Sequence, residues 1–80
     1  MGQPLNTQRV LVEYDDFKTA WTIKKQNTPG GIYNIVALRD LKKDAVKKAR
    51  KEAKKMPRGI TGVLRVYNKS GKLSEETRYE

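Results

Sequence analysis

The sequence predicts a small α+β domain of β-β-β-α-β-β order, an antiparallel sheet with one helix packed on one of its faces. Three observations carry this reading. Five short segments are rich in β-branched and aromatic residues, and most alternate apolar with polar positions. A single segment repeats alanine at helical spacing. The chain has 80 residues, 36% of them apolar, which is enough for one core and no more.

Residues 1–8 are polar, contain Pro4 and show no period, so they read as a loose arm ahead of a single domain over 9–80. Arg9-Val10-Leu11-Val12-Glu13-Tyr14 reads as the first strand, with Val10, Val12 and Tyr14 on one face. Asp15-Asp16 supplies turn chemistry. Ala20 to Lys25 reads as a second strand with Trp21 and Ile23 on its apolar face, and the two strands pair naturally as a hairpin. Trp21 is expected to be the largest single piece of the core, with base stacking as the alternative use of its ring. Gln26 to Gly31 is a breaker cluster: Thr28 precedes proline and is pushed out of the helical region, and Gly30-Gly31 permits positive φ. Ile32 to Leu38 is mostly β-forming and reads as the third strand.

Asp40 is the expected N-cap, since its carboxylate can accept an N–H left orphaned in the first turn. A helix is predicted over Leu41–Met56, with Leu41, Ala45, Ala49, Ala53 and Met56 in a stripe and Val46 beside them. Pro57 cannot continue it, Gly59 suits the exit, and Lys54 and Lys55 favour the negative end of the helix dipole. Ile60 to Tyr67 returns to β, with Leu64 and Val66 on one face and Val63, Arg65 and Tyr67 on the other. Asn68-Lys69-Ser70-Gly71 predicts a type I turn closed by a left-handed Gly71, a G1-bulge hairpin leading into the last strand, Lys72–Tyr79. Asn68-Lys69-Ser70 also spells a glycosylation sequon, read here as a turn.

The composition removes most catalytic chemistry. There is no Cys and no His, hence no thiolate, no imidazole base and no Cys/His metal set. Ser70 and Ser74 have nothing to activate them, and Ser70-Gly71-Lys72 lacks the upstream glycine and following helix of a phosphate loop. Asp15-Asp16 and Glu75-Glu76 are adjacent pairs, and strand neighbours point to opposite faces. The chain therefore reads as non-catalytic, with no cofactor and no metal. No apolar run reaches the roughly 18 residues that span a bilayer, and no signal peptide is evident, so a cytoplasmic protein without membrane contact is expected.

Charge is the most informative feature. Lys plus Arg number 18 against 9 acids, a net charge of +9. Residues 41–58 hold nine of those cations against Asp44 and Glu52, so the excess is concentrated on the helix and its exit. Lys43, Lys47, Lys48, Arg50, Lys51, Lys54 and Lys55 fall within an arc of about 160° opposite the alanine stripe. With Arg58 they form the candidate nucleic-acid-binding set. Asp44 and Lys48 stand at the (i, i+4) spacing of a stabilising pair, leaving the other cations without partners. Lysine outnumbers arginine here, which suits diffuse attraction to phosphate better than bidentate reading of bases. The reading is a basic protein binding nucleic acid through its backbone with little sequence specificity. The competing readings are a solvated lysine face and a protein-interaction module, a phage or host regulator docking an acidic protein. Terminal strands at sheet edges would also allow a homodimer.

From Trp21 onward the chain resembles a family of short prokaryotic and phage proteins known as a domain of unknown function. The motifs are Trp21-Thr22-Ile23, a helix with Lys42-Lys43-Asp44-Ala45, Ala49-Arg50 and Ala53, the turn Ser70-Gly71-Lys72-Leu73, and the terminal Glu76-Thr77-Arg78-Tyr79. The resemblance implies a β-rich domain with one helix and implies no activity. The β-β-β-α order is also similar to the arm-binding domains of phage integrases, in which the sheet enters a DNA groove; this chain adds a C-terminal hairpin.

Overall fold

The computed structural model describes residues 6–79. The elements are β1 (Thr7–Asp15), β2 (Ala20–Gln26), β3 (Tyr33–Arg39), α1 (Lys42–Lys54), β4 (Thr61–Tyr67) and β5 (Leu73–Tyr79), the α+β order expected. They form one five-stranded sheet in the order β3-β2-β1-β4-β5. Three pairings are antiparallel, but β1 and β4 run parallel, with Val10 beside Leu64 and Val12 beside Val66. The sheet is thus mixed, a correction to the all-antiparallel expectation. Two hairpin reversals return β3 to the direction of β1, and the helical crossover then starts β4 from the same end. Of the two terminal strands, β5 lies at an edge and β1 at the centre; the other edge is β3.

Alternation along the strands sends Val10, Val12, Ile23, Leu64 and Val66 to the face that α1 covers. Ala45, Ala49 and Ala53 are the helix residues buried against them. Small side chains bring the helix axis close to the sheet, and Gly62 completes the fit: a Cβ there would drive into the Ala53 carbonyl and crowd Met56. Trp21 is 6% exposed and meets Tyr14 edge-to-face at 5.2 Å, so it is core, as expected.

The helix is shorter than expected at both ends. Its N-cap is Leu41, in extended conformation and without a side-chain cap, so the assignment of that role to Asp40 is corrected. The first intrahelical bond runs from Ala45 N–H to the Leu41 carbonyl, which places Asp40 one residue too early to cap. Met56 leaves the helix but still packs against the core. The last hairpin closes as expected: Gly71 has φ 86°, and its N–H donates to the Asn68 carbonyl at 2.9 Å. In the first hairpin, Asp15 Oδ1 accepts from the Phe17 and Lys18 N–H groups. Those bonds, the Lys18 N–H foremost, hold the Asp15 carboxyl below its ordinary pKa.

The arm expected over 1–8 is also shortened. Thr7 and Gln8 belong to β1, and Gln8 is buried because its side-chain amide donates to the Gln26 carbonyl. Gln26 returns the contact, its Oε1 accepting from Arg9 N–H at 2.7 Å while its Nε2 donates to Gly31 O at 3.0 Å. Residues 1–5 of the expected arm lie outside the described residues.

Candidate nucleic-acid interface

Because the alanines of α1 face the sheet, its lysines face outward. Lys43, Lys47 and Lys51 stand four residues apart, about 6 Å along the axis at each step, and form one exposed row. Lys54 lies one turn further, its Nζ 5.6 Å from the Tyr79 ring centroid. Arg58 follows on the exit loop and is exposed. None of these five forms a salt bridge among the described residues.

The other three cations of the predicted set are held by acids. Lys48 meets Glu52 at 3.1 Å, and Lys55 meets the same carboxylate at 3.8 Å. Arg50 reaches across to Glu75 of β5 at 3.3 Å. The expected Asp44–Lys48 pair is therefore replaced by Lys48–Glu52. The Glu52 side chain is only 13% exposed, so less water screens its attraction for Lys48, and the same carboxylate also binds Lys25 of β2 at 3.2 Å. Burial pushes the Glu52 carboxyl up, but bonds and charge from Lys48 and Lys25 outweigh it and leave the group below its ordinary value. Asp44 instead lines a shallow cleft of about 210 Å³ with Arg39, Lys47, Lys48 and Lys51.

The exit of α1 opens into a wider groove of about 690 Å³. Lys54, Arg58 and Arg78 line it together with Met56, Ile60 and Tyr79, and no carboxylate among the described residues does. Arg39 and Arg78 are thus functional candidates that sequence reasoning missed. Both sit at the ends of edge strands, where no local period marks them: register sets Arg39 beside Trp21 on the helix face, while Arg78, paired with Val63, lines the groove from the end of β5. The far face of the sheet is different: Lys24 pairs with Glu13 at 2.9 Å and Arg65 with Glu76 at 2.7 Å.

Among the described residues, no group of three or more acids, Cys or His is placed to hold a metal ion, and no helix is long and apolar enough to cross a membrane. Comparison with protein families, curated proteins and solved structures finds no match to this chain.

Proposed function

We propose that the protein is a small non-catalytic binder of nucleic acid, attaching to backbone phosphates with little sequence specificity, and that it acts in the cytoplasm. The observation that supports this most is the unpaired row Lys43-Lys47-Lys51, continued by Lys54 and Arg58, on a helix held to the sheet by its alanines. Acids neutralise Lys48, Arg50 and Lys55, whereas Asp44 shares the cleft of Lys47 and Lys51 but none of the row forms a salt bridge among the described residues. Like charges at (i, i+4) repel and oppose helix formation, and a polyanion relieves that repulsion. Lysine ammonium groups attract phosphate as point charges and carry no base-reading geometry.

The test is titration of a labelled duplex and a labelled single strand with the wild type and with the triple variant Lys47→Glu, Lys51→Glu, Lys54→Glu. These side chains are exposed, so circular dichroism should be unchanged. Binding should be lost in the variant, and scrambled oligonucleotides should bind the wild type as well as the originals. If neither nucleic acid binds the wild type at low salt, the row is read instead as a dock for an acidic protein.

A further inference from the structure

Edge strand β3 differs in chemistry from the rest of the molecule. Residues 26–38 contain no charged side chain, although 34% of the chain is charged. Ile32 is 72% exposed, Ile35 48%, Val36 42%, Leu38 43% and Tyr33 36%. β3 bonds to β2 alone, so its outer edge presents unpaired N–H and C=O groups. The opposite edge is guarded: Glu75, Glu76 and Arg78 lie within β5, and charges on an edge strand discourage pairing. The corresponding device on β3 is a single register shift that leaves Val36 without a partner in β2.

We propose that β3 is an interface between two copies of this chain, paired antiparallel about a two-fold axis near Val36. Charge selects the occupant. An acidic partner gains nothing from a stretch that is uncharged until Arg39. For a molecule of net charge +9, this strand is where a second copy meets the least repulsion. An isologous β3–β3 contact closes at two chains, whereas β3 on β5 would propagate and would set apolar side chains against charged ones. A two-fold axis normal to the sheet keeps both α1 helices on the same face. Arg39 ends β3 and shares the small cleft with Lys47 and Lys51, so the cationic surface reaches this edge and pairing joins two such surfaces. The converging cations oppose pairing, so salt should strengthen the dimer by screening them. Salt weakens phosphate binding, and the two behaviours are separable.

Sedimentation velocity of the full chain, without nucleic acid, tests this independently of the proposed function. Wild type is expected to shift from monomer to dimer with rising concentration, more completely at high salt. Ile35→Lys and Ile35→Glu should each be monomeric where the wild type is dimeric, and an equimolar mixture of the two should recover the dimer, because the two side chains sit diagonally across the axis. Leu38→Lys, on the same face, should behave as Ile35→Lys does, and Trp21 emission reports that each variant is folded. A wild type that is monomeric at every concentration and salt overturns the proposal. So does dimerisation of the single variants to the wild-type extent, or a mixture that stays monomeric.

Discussion

Gly62 and Glu52 join the helix to the sheet by opposite means. Gly62 does so by having no side chain: a methyl there meets the backbone carbonyl of Ala53, which cannot swing aside. Gly62→Ala should therefore cost at least about 2 kcal/mol, at the upper part of the range for overpacking. Urea denaturation should show a lower midpoint with an unchanged slope. Glu52 acts through charge, holding Lys25 of β2 and Lys48 of α1 at once. Its folded pKa lies below the ordinary 4.5, so the unfolded chain binds its proton more readily. The stability it contributes is fully present above that value and is lost as pH falls through the folded pKa. Glu52→Gln should cost about 1.5–3 kcal/mol at neutral pH, as expected for hydrogen bonds to charged groups. The gap between variant and wild type should narrow in acid; a gap that stays constant with pH would contradict this role.

At the scale of elements, the helix start offers a test by gain of stability. Leu41 is the N-cap, 53% exposed, and contributes no side-chain acceptor. Leu41→Asp should stabilise the protein by about 1 kcal/mol, whereas Asp40→Ala should change little. For a domain this size that gain raises Tm by about 4–8 °C. The reverse pattern would restore Asp40 as the cap. The misassignment shows where the sequence is legible. Alternation at Val10-Val12-Tyr14 and alanine at every fourth position of the helix are local signals, and they located all six elements to within about two residues. The cap turns on where the first helical bond forms, and Leu41 fits the apolar stripe too well to mark it. The parallel seam between β1 and β4, the Arg50–Glu75 bridge and the Lys25–Glu52 bridge join residues at least 25 positions apart, and no local period encodes such pairs. For the same reason the lysine row was visible in the sequence, while its neutralised members and the additions of Arg39 and Arg78 were not.

For the whole molecule, the distribution of charge is what the proposed function rests on. The far face of the sheet has cross-strand ion pairs, β3 carries no charge before Arg39, and most of the cations without a salt bridge among the described residues lie along α1 and its exit groove. Phosphate binding of the proposed kind releases counterions, so its affinity would be written in its salt dependence. The most direct measurement is the slope of log K against log salt for a duplex, between about 50 mM and 200 mM, for wild type and for Lys47→Gln, Lys51→Gln. About four to six phosphate contacts give a wild-type slope near −0.9 per contact. Each glutamine should reduce its magnitude by about one, so the double variant flattens by about two. A double variant with the wild-type slope, or a wild type whose binding is indifferent to salt, would contradict the assignment of this row to phosphate.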